Sequence, residues 1–328
     1  MHLVSILIPA YNDEEYIGDS IESALGQTYP ECEVIVVDDG STDDTVSKVR
    51  TYDNVRLITQ ANRGAPAARN RALEAAGGTY IQFLDADDLL HPGKVEAQVK
   101  RLDDSPRGTV AVSPTCYFQD GQDPKQGRLS RGSESLNLDD PVQWLINLWM
   151  PERGWGMVQT GAWLTPRSVI EDAGPWAEYV NPDDDGEFFT RVLLQSTGVQ
   201  YVDEGCVYYR QHCGERVSEL VSKEAFRGRL RSIDTRRDHL LPKTTDENRE
   251  DAVFAVARSY WKLAVRALPM YSQIFEKASH RARELGMRSP PESVLPGTRK
   301  SRIVRRVCGW RVARYLQHWY RRLTSDAV

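Results

Sequence analysis

The chain has 328 residues with a net charge of −5, 27% charged and 40% hydrophobic. That length suits one large domain, or a domain with an extension, and buries a sizeable core; the mild acidity excludes a general nucleic-acid binder. No apolar run reaches the roughly 18 residues that span a bilayer, and the five scattered cysteines, with no Cys-x-x-Cys pair, exclude a disulfide framework or a zinc site and suit a reducing, cytoplasmic setting.

His2-Leu3-Val4 runs directly into a strand-like segment, so no secretory leader is expected. Leu3 to Ile8 reads as a buried strand, followed by the turn Pro9-Ala10-Tyr11. Asn12 and Glu15 have capping-box spacing for a helix with Ile17, Ile21, Ala24 and Leu25 on its buried face. Glu33 to Val37 is a second strand, ending in Asp38-Asp39-Gly40, and Ser41 to Asp44 cap the next helix. Val55 to Ile58 is a third strand, and Gly64 to Ala76 a third helix closed by Gly77-Gly78. Thr79 to Leu84 is a fourth strand, running into Asp85-Ala86-Asp87-Asp88. Pro92 to Leu102 is helical and Thr109 to Val112 a fifth strand.

Residues 114–138, rich in Gly, Ser, Asp and Gln, read as a loop or flap. Val142 to Met150 is apolar, and Gly154-Trp155-Gly156 is an aromatic turn. Ala162 to Leu164 is a short strand before a helix opened by Pro166. Asn181-Pro182-Asp183-Asp184-Asp185-Gly186 precedes a helix from about Glu187 to Gln195, and Val207 to Arg210 is a last strand. Beyond Glu219 strand signals stop. Three or four helices follow, with Thr244 to Glu247 as a capping box for one running to Leu268, and prolines near 290–296 marking a linker.

Strand and helix alternate at short spacing, which calls for a mostly parallel sheet covered on both faces. In such a sheet Pro9-Ala10-Tyr11, Asp38-Asp39-Gly40 and Asp85-Ala86-Asp87 share the carboxyl edge, where open α/β sheets bind ligands. Asp85 and Asp87 flank one small residue and can aim the same way. Two carboxylates that close repel unless a proton or cation intervenes. A hard ion such as Mg²⁺ or Mn²⁺ fits, sharing carboxylates with substrate phosphate oxygens. A solvated acidic turn that caps the helix near Pro92 is the plainer reading of the same triplet.

Four stretches in order, Ser5 to Asn12, Val36 to Asp43, Ala68-Arg69-Asn70 and Phe83 to Asp88, resemble the family 2 glycosyltransferases. The resemblance covers residues 3–212 and implies an inverting enzyme of GT-A fold: a Rossmann-like, mostly parallel sheet flanked by helices, here with a helical C-terminal extension. The expected division is a catalytic domain at 1–218, its nucleotide-sugar half at 1–113 and its acceptor half at 114–218; outside the resemblance follow a helical extension at 219–295 and a basic amphipathic tail helix at 296–328. By the resemblance Pro9 and Tyr11 shape the base pocket, and Asp39 accepts from the base, favouring uracil. Arg69 approaches base or phosphates. Asp85, with Ala86 beside it, contacts the ribose or a metal-bound water, and Asp87 ligates Mn²⁺ or Mg²⁺. Asp88 reads better as a helix cap than as a ligand.

Tyr209-Arg210-Gln211-His212 resembles a family element that closes over the diphosphate, with Arg210 on phosphate and His212 as ligand or donor. Asp184 and Asp185 stand where the family carries Glu-Asp. Asp185, placed at the helix N-cap, is the expected base, with Asp184 turned toward acceptor or solvent. The implied reaction moves a sugar from a nucleotide diphosphate, UDP favoured, to a hydroxyl of a glycan or lipid-linked acceptor. The alternative is a catalytically inactive module that binds nucleotide sugar or glycan. A phosphatase would need its nucleophile on the first strand, a nucleotidylyltransferase a Gly-rich loop with Arg and Lys, and a Rossmann oxidoreductase Gly-x-Gly-x-x-Gly; none is present. Between 299 and 322 arginines interleave with Ile303, Trp310, Tyr315, Leu316 and Trp319. Such a helix either lies on the cytoplasmic face of an anionic membrane or docks on the acidic catalytic domain.

Overall fold

Val4–Ala10 is buried at every position and forms the central strand β1. Its run of Ile and Leu with no polar alternation is what a strand covered on both faces requires. The computed structural model describes residues 1–130, 137–150, 158–212, 221–295, 308–316 and 318. They divide into two units: Met1–Tyr179 with Asp184–Glu215, and Val180–Asp183 with Arg216–Val328.

In the first unit, β1 leads to α1 (Ile17–Leu25), β2 (Cys32–Asp38), α2 (Thr45–Val49), β3 (Val55–Thr59) and α3 (Ala65–Ala75). β4 (Tyr80–Phe83), β5 (Leu89–Leu90), α4 (Lys94–Asp103), β6 (Thr109–Val112), β7 (Thr115–Gln119) and β8 (Arg128–Ser130) follow. Then come α5 (Pro141–Trp149), β9 (Trp163–Pro166), α6 (Arg167–Ala173), α7 (Asp184–Gln195), β10 (Gly198–Tyr201) and β11 (Val207–Gln211). Among the described residues, seven strands form one sheet in the order β10-β6-β9-β4-β1-β2-β3. β1 is parallel to β2 and β4, and β2 to β3, while β9 runs antiparallel between β4 and β6. The ends of β1, β2 and β4 therefore share one edge, with Ala10 opposite Asp38 and Leu7 opposite Phe83.

A second sheet, ordered β5-β11-β7-β8, uses residues the sequence reading assigned to a flap. The β-prone run Thr115-Cys116-Tyr117-Phe118 pairs in parallel with β11, and tertiary pairing overrides the turn-rich composition around it. β10 carried no clear signal of its own; it is an edge strand completed by pairing with β6. The aromatic turn at 154–156 lies outside the described residues.

Several caps differ from expectation. Asn12 has φ 55° and lies in the turn before α1, which begins only at Ile17; its Oδ1 accepts from the Thr42 amide at 2.8 Å. At α2, by contrast, the cap expected within Ser41 to Asp44 is met by Asp43, which accepts the Thr45 amide at 3.0 Å. In the second unit, α8 (Lys223–Leu240), α9 (Arg249–Ala267) and α10 (Ser272–Glu284) are the long helices among the described residues. α9 starts after Asn248, whose Oδ1 takes the Thr245 amide, and Thr244 gives its hydroxyl to the Leu241 carbonyl, so Thr244 and Glu247 do not form the expected box.

β4 is entered through Gly78, where a Cβ would stand 2.6 Å from the Ser5 backbone nitrogen. Gly78 also donates its amide to Ser5 Oγ at 2.8 Å. Overpacking against backbone leaves no rotamer to escape into, so Gly78→Ala should cost about 1–3 kcal/mol. A urea midpoint equal to that of wild type would contradict this close approach.

Candidate active site

Where β4 stops, the chain turns sharply: the Asp88 amide donates to the Asp85 carbonyl at 3.1 Å. Ser20 on α1 grips this turn from below, its hydroxyl 2.7 Å from the carbonyl oxygens of both Ala86 and Asp88. Ala86 is buried, as so tight a turn demands. Asp88 is buried too and accepts the Arg210 amide at 3.0 Å. It caps no helix, because α4 begins at Lys94. Burial, then the charges of Asp87 and Asp85, push its carboxyl well above the usual carboxylate range.

Asp87 sits in the same field. Burial and the Asp85 charge raise its pKa, and a hydrogen bond from His212 pulls the other way. His212 Nε2 lies 3.2 Å from Asp87 Oδ2, and its ring stacks on Tyr16 with centroids 5.4 Å apart. Asp13 joins this group: burial first, then the charges of Asp87, Asp43 and Asp85, raise it to about 6 although the Tyr11 amide donates to it. The sequence reading passed over Asp13 as part of a helix start. Its signal was its place at the carboxyl edge beside β1, like the acids after β2 and β4.

Arg69 stands elsewhere than expected. It is buried on α3 and donates to Asp85 at 2.8 Å and to Asp184 at 2.7 Å, with its guanidinium 4.5 Å from the centre of the Trp176 ring. Burial works against its charge, but Asp85 and Asp184 outweigh this and raise its pKa. A buried guanidinium must find carboxylates, and these two claim the donors that the base or phosphates were expected to take. The neighbouring Asn70 holds the Trp176 backbone from both sides, at 2.8 and 3.0 Å. Trp176 in turn stacks on Phe188 at 4.0 Å. The Ala68-Arg69-Asn70 motif thus ties α3 to the start of α7.

The acids at α7 also need correction. The helix begins at Asp184 rather than Gly186 or Glu187, so Asp185 is in its first turn and not at its N-cap. Asp184 faces Arg69 rather than solvent, with its side chain 15% exposed. Asp185 Oδ1 accepts the Gly186 amide at 2.8 Å. One turn on, Glu187 and Arg191 form a two-pronged pair at 2.7 and 2.8 Å, and Arg191 also donates to the carbonyls of Ala173, Gly174 and Pro175. That arginine is a strut of the fold.

Arg210 is a second hub. It donates to the Asp87 carbonyl at 2.9 Å, Asp120 at 2.9 Å and Asp19 at 2.8 Å, between the rings of Tyr16 and Phe118. Its donors hold the acidic turn and are not turned out toward a phosphate. Asp19, Asp120 and Tyr16 were missed, since nothing in the sequence links them to residue 210. Asp39 is likewise engaged: it accepts from Gln60 and from the amides of Arg63 and Gly64, at 2.7 to 3.1 Å. Pro9 is buried within β1, whereas Tyr11 exposes 48% of its surface.

Among the described residues, no group of three or more His, Cys, Asp or Glu side chains is arranged to hold a metal ion alone. Asp87 and His212 form a pair, and the excess of negative charge around them is what a cation completed by substrate oxygens would relieve. The donor set therefore fits Mn²⁺ or Mg²⁺.

Residues 5–157 match the family described as Glycosyl transferase family 2. The chain is 37% identical over 147 residues to the putative teichuronic acid biosynthesis glycosyltransferase TuaG of Bacillus subtilis, covering 43% of this chain and 57% of that protein. It is 46% identical over 102 residues to the UDP-Glc:alpha-D-GlcNAc-diphosphoundecaprenol beta-1,3-glucosyltransferase WfaP of Escherichia coli, covering 30% and 41%. The chain thus spans about half the length of these relatives. The crystal structure of S. aureus TarS 1-349 in complex with UDP-GlcNAc superposes with a TM-score of 0.59 at 17% identity, over 86% of this chain and 90% of that one. That likeness fixes the fold as GT-A. The four motifs, with their acids gathered at one sheet edge, all lie within the stretch that matches glycosyltransferase family 2.

Proposed function

We propose that this chain is an inverting, metal-dependent glycosyltransferase that moves a sugar from a UDP-sugar to a hydroxyl of a glycan or lipid-linked acceptor. The observation that carries the reading is Arg69, which joins Asp85 of the donor motif to Asp184 at the head of α7. A structural neighbour and a sequence relative support the substrate classes: TarS was solved with UDP-GlcNAc, and WfaP is named for UDP-Glc and a diphosphoundecaprenol-linked acceptor.

In this reading Tyr11 offers its exposed ring to the base, with Pro9 behind it. Asp39 shapes the base pocket through the 60–64 loop it holds and keeps the role of base acceptor. Asp85 faces the ribose side with Ala86 fixing the turn. Asp87 and His212 would hold the Mn²⁺ or Mg²⁺. Such an ion offsets negative charge on the departing diphosphate. Arg210 contributes by fixing Asp87 through its carbonyl and by its nearby charge. Asp185 is the base. Asp184 is committed to the buried Arg69 guanidinium, while Asp185 accepts the Gly186 amide in the first turn of α7 and is not in that bridge. It removes the proton from the acceptor hydroxyl as that oxygen attacks the anomeric carbon from the face opposite the diphosphate. One displacement inverts the centre.

The described part of the tail helix, 308–316, belongs to the helical unit. Trp310 lies 6.1 Å from both Trp261 and Phe275, Ala313 is buried, and Arg314 donates to the Val265 carbonyl at 2.9 Å. The docking is therefore on α9 and α10. Val312, Tyr315 and Leu316 are exposed on the other side of the helix, and no described helix is long and apolar enough to cross a membrane. We assign that outer stripe to peripheral contact with an anionic membrane face; Arg311 and Arg314 face the helical unit, and the other tail arginines lie outside the described residues.

Asp185→Asn should cut turnover by about two to four decades while UDP affinity barely changes. Asp184→Asn and Arg69→Met should cost less, and their double variant no more than the worse single, because both break one bridge. An inactive Asp184→Asn beside an active Asp185→Asn would make Asp184 the base. Mn²⁺ should raise the melting temperature of wild type with UDP far more than that of Asp87→Ala. Full transfer activity in excess chelator would rule the metal out. Val312→Asp with Leu316→Asp should abolish flotation with phosphatidylglycerol vesicles; equal flotation of variant and wild type would remove the membrane contact.

A further inference from the structure

One side of α1 serves the acidic turn and its flank through three residues. Tyr16 stands at the N-cap of the helix, and Asp19 and Ser20 follow at spacings of three and four, so the three side chains lie on the same face. Ser20 meets the carbonyls of Ala86 and Asp88, and Asp19 meets the Arg210 guanidinium at 2.8 Å. Tyr16 contributes an aromatic face. The His212 ring stacks on it with centroids 5.4 Å apart and planes 23° apart, and the Arg210 guanidinium carbon lies 4.9 Å from its centre. The Tyr16 hydroxyl reaches Asp120 Oδ2 only at 3.4 Å, long for an O–H donor. All of these residues belong to the first unit.

His212 is where such a face matters. It follows Gln211, the last residue of β11 paired with β7, so strand pairing ends just before it. The torsion that turns an imidazole about its own attachment is broad, and side-chain rotamers alone leave the ring plane loosely set. The contact of Nε2 with Asp87 Oδ2 at 3.2 Å pins one atom of the ring, not its plane. The lone pair with which an imidazole nitrogen binds a cation lies in that plane, so the plane decides whether His212 and Asp87 can share one ion. Imidazoles that bind metals are ordinarily oriented by a neighbour that does not touch the metal. Here the neighbour is a stacked ring. The same ring borders Arg210, which donates to the Asp87 carbonyl at 2.9 Å. Both partners of the pair therefore lean on Tyr16, His212 directly and Asp87 through Arg210.

We infer that Tyr16 is a positioning residue whose ring holds the His212 imidazole in the orientation in which it and Asp87 take the divalent cation together. This rests on the reading of Asp87 and His212 as the cation pair. The role belongs to the aromatic face and not to the phenol oxygen, whose contact with Asp120 is long.

The test measures Mn²⁺ binding to the full chain saturated with UDP, by water-proton relaxation, beside uridine binding without metal. Tyr16→Phe, which keeps the ring, should bind Mn²⁺ like wild type. Tyr16→Leu should bind it about tenfold more weakly or worse, the usual cost of losing the partner that orients a metal ligand. In a His212→Ala background Tyr16→Leu should cost nothing further, because both changes remove the same ligand. Uridine, which needs no cation, should bind equally to all, and this also reports that the variants fold. Equal Mn²⁺ affinity in wild type and Tyr16→Leu would overturn the inference while leaving the cation reading intact. So would a Tyr16→Phe as weak as Tyr16→Leu, which would move the role to the bond with Asp120. A full further loss in the His212→Ala background, or a parallel loss of uridine binding, would also overturn it, since the effect would not run through His212. If wild type binds uridine but no Mn²⁺ with UDP, the cation reading fails and the inference falls with it.

Discussion

A guanidinium that is always charged cannot be buried without carboxylates to face it, and Arg69 meets that demand with one acid from each half of the site. Asp85 comes from the turn after β4 and Asp184 from the head of α7, 99 residues further on by number (184 − 85). Removing one partner of such a buried pair typically costs about 3–5 kcal/mol. The bridge therefore fixes donor-side and α7 acids relative to each other more firmly than packing alone. Trp176 underneath, held by Asn70 and stacked on Phe188, leaves the guanidinium one place to lie.

Arg210 applies the same logic on the other flank. It supports the acidic turn from β11 through the Asp87 carbonyl and the Asp88 carboxylate, and it reaches Asp19 and Asp120 as well. Between the two arginines the turn carries Asp85, Asp87 and Asp88, with Asp13 close by. The arginines hold the carboxylates in place without neutralising all of them, and the raised Asp13, Asp87 and Asp88 are the electrostatic record. A site built this way stores a demand for positive charge at the point where a diphosphate and its cation are to be bound.

Much of the first unit was legible from residue order alone. Buried strands such as Val4–Ala10 and Cys32–Asp38 announce themselves by unbroken apolar runs, and alternating helices force those strands parallel. Parallel strands put their carboxyl ends on one edge, so the meeting of Asp38, Asp39, Asp85 and Asp87 follows from pattern without coordinates. Side-chain period and chain direction are local properties, and local properties are written in sequence.

What tertiary structure alone decided is which partner each charged group found. Arg69 looked like a phosphate ligand and lies beneath the site, because whether a guanidinium is buried depends on what covers α3, here Trp176. Arg210 was expected on phosphate and is spent on acids 90 and 191 residues away. The flap became β7 and β8 because β11 offered an edge, and α7 took in Asp184 because Arg69 was there to receive it. The sequence by itself determined the sheet, its direction and the edge where the acids gather, since each depends on neighbours in the chain. The charge pairing that turns that edge into a site depends on neighbours in space, and only the folded chain supplies them.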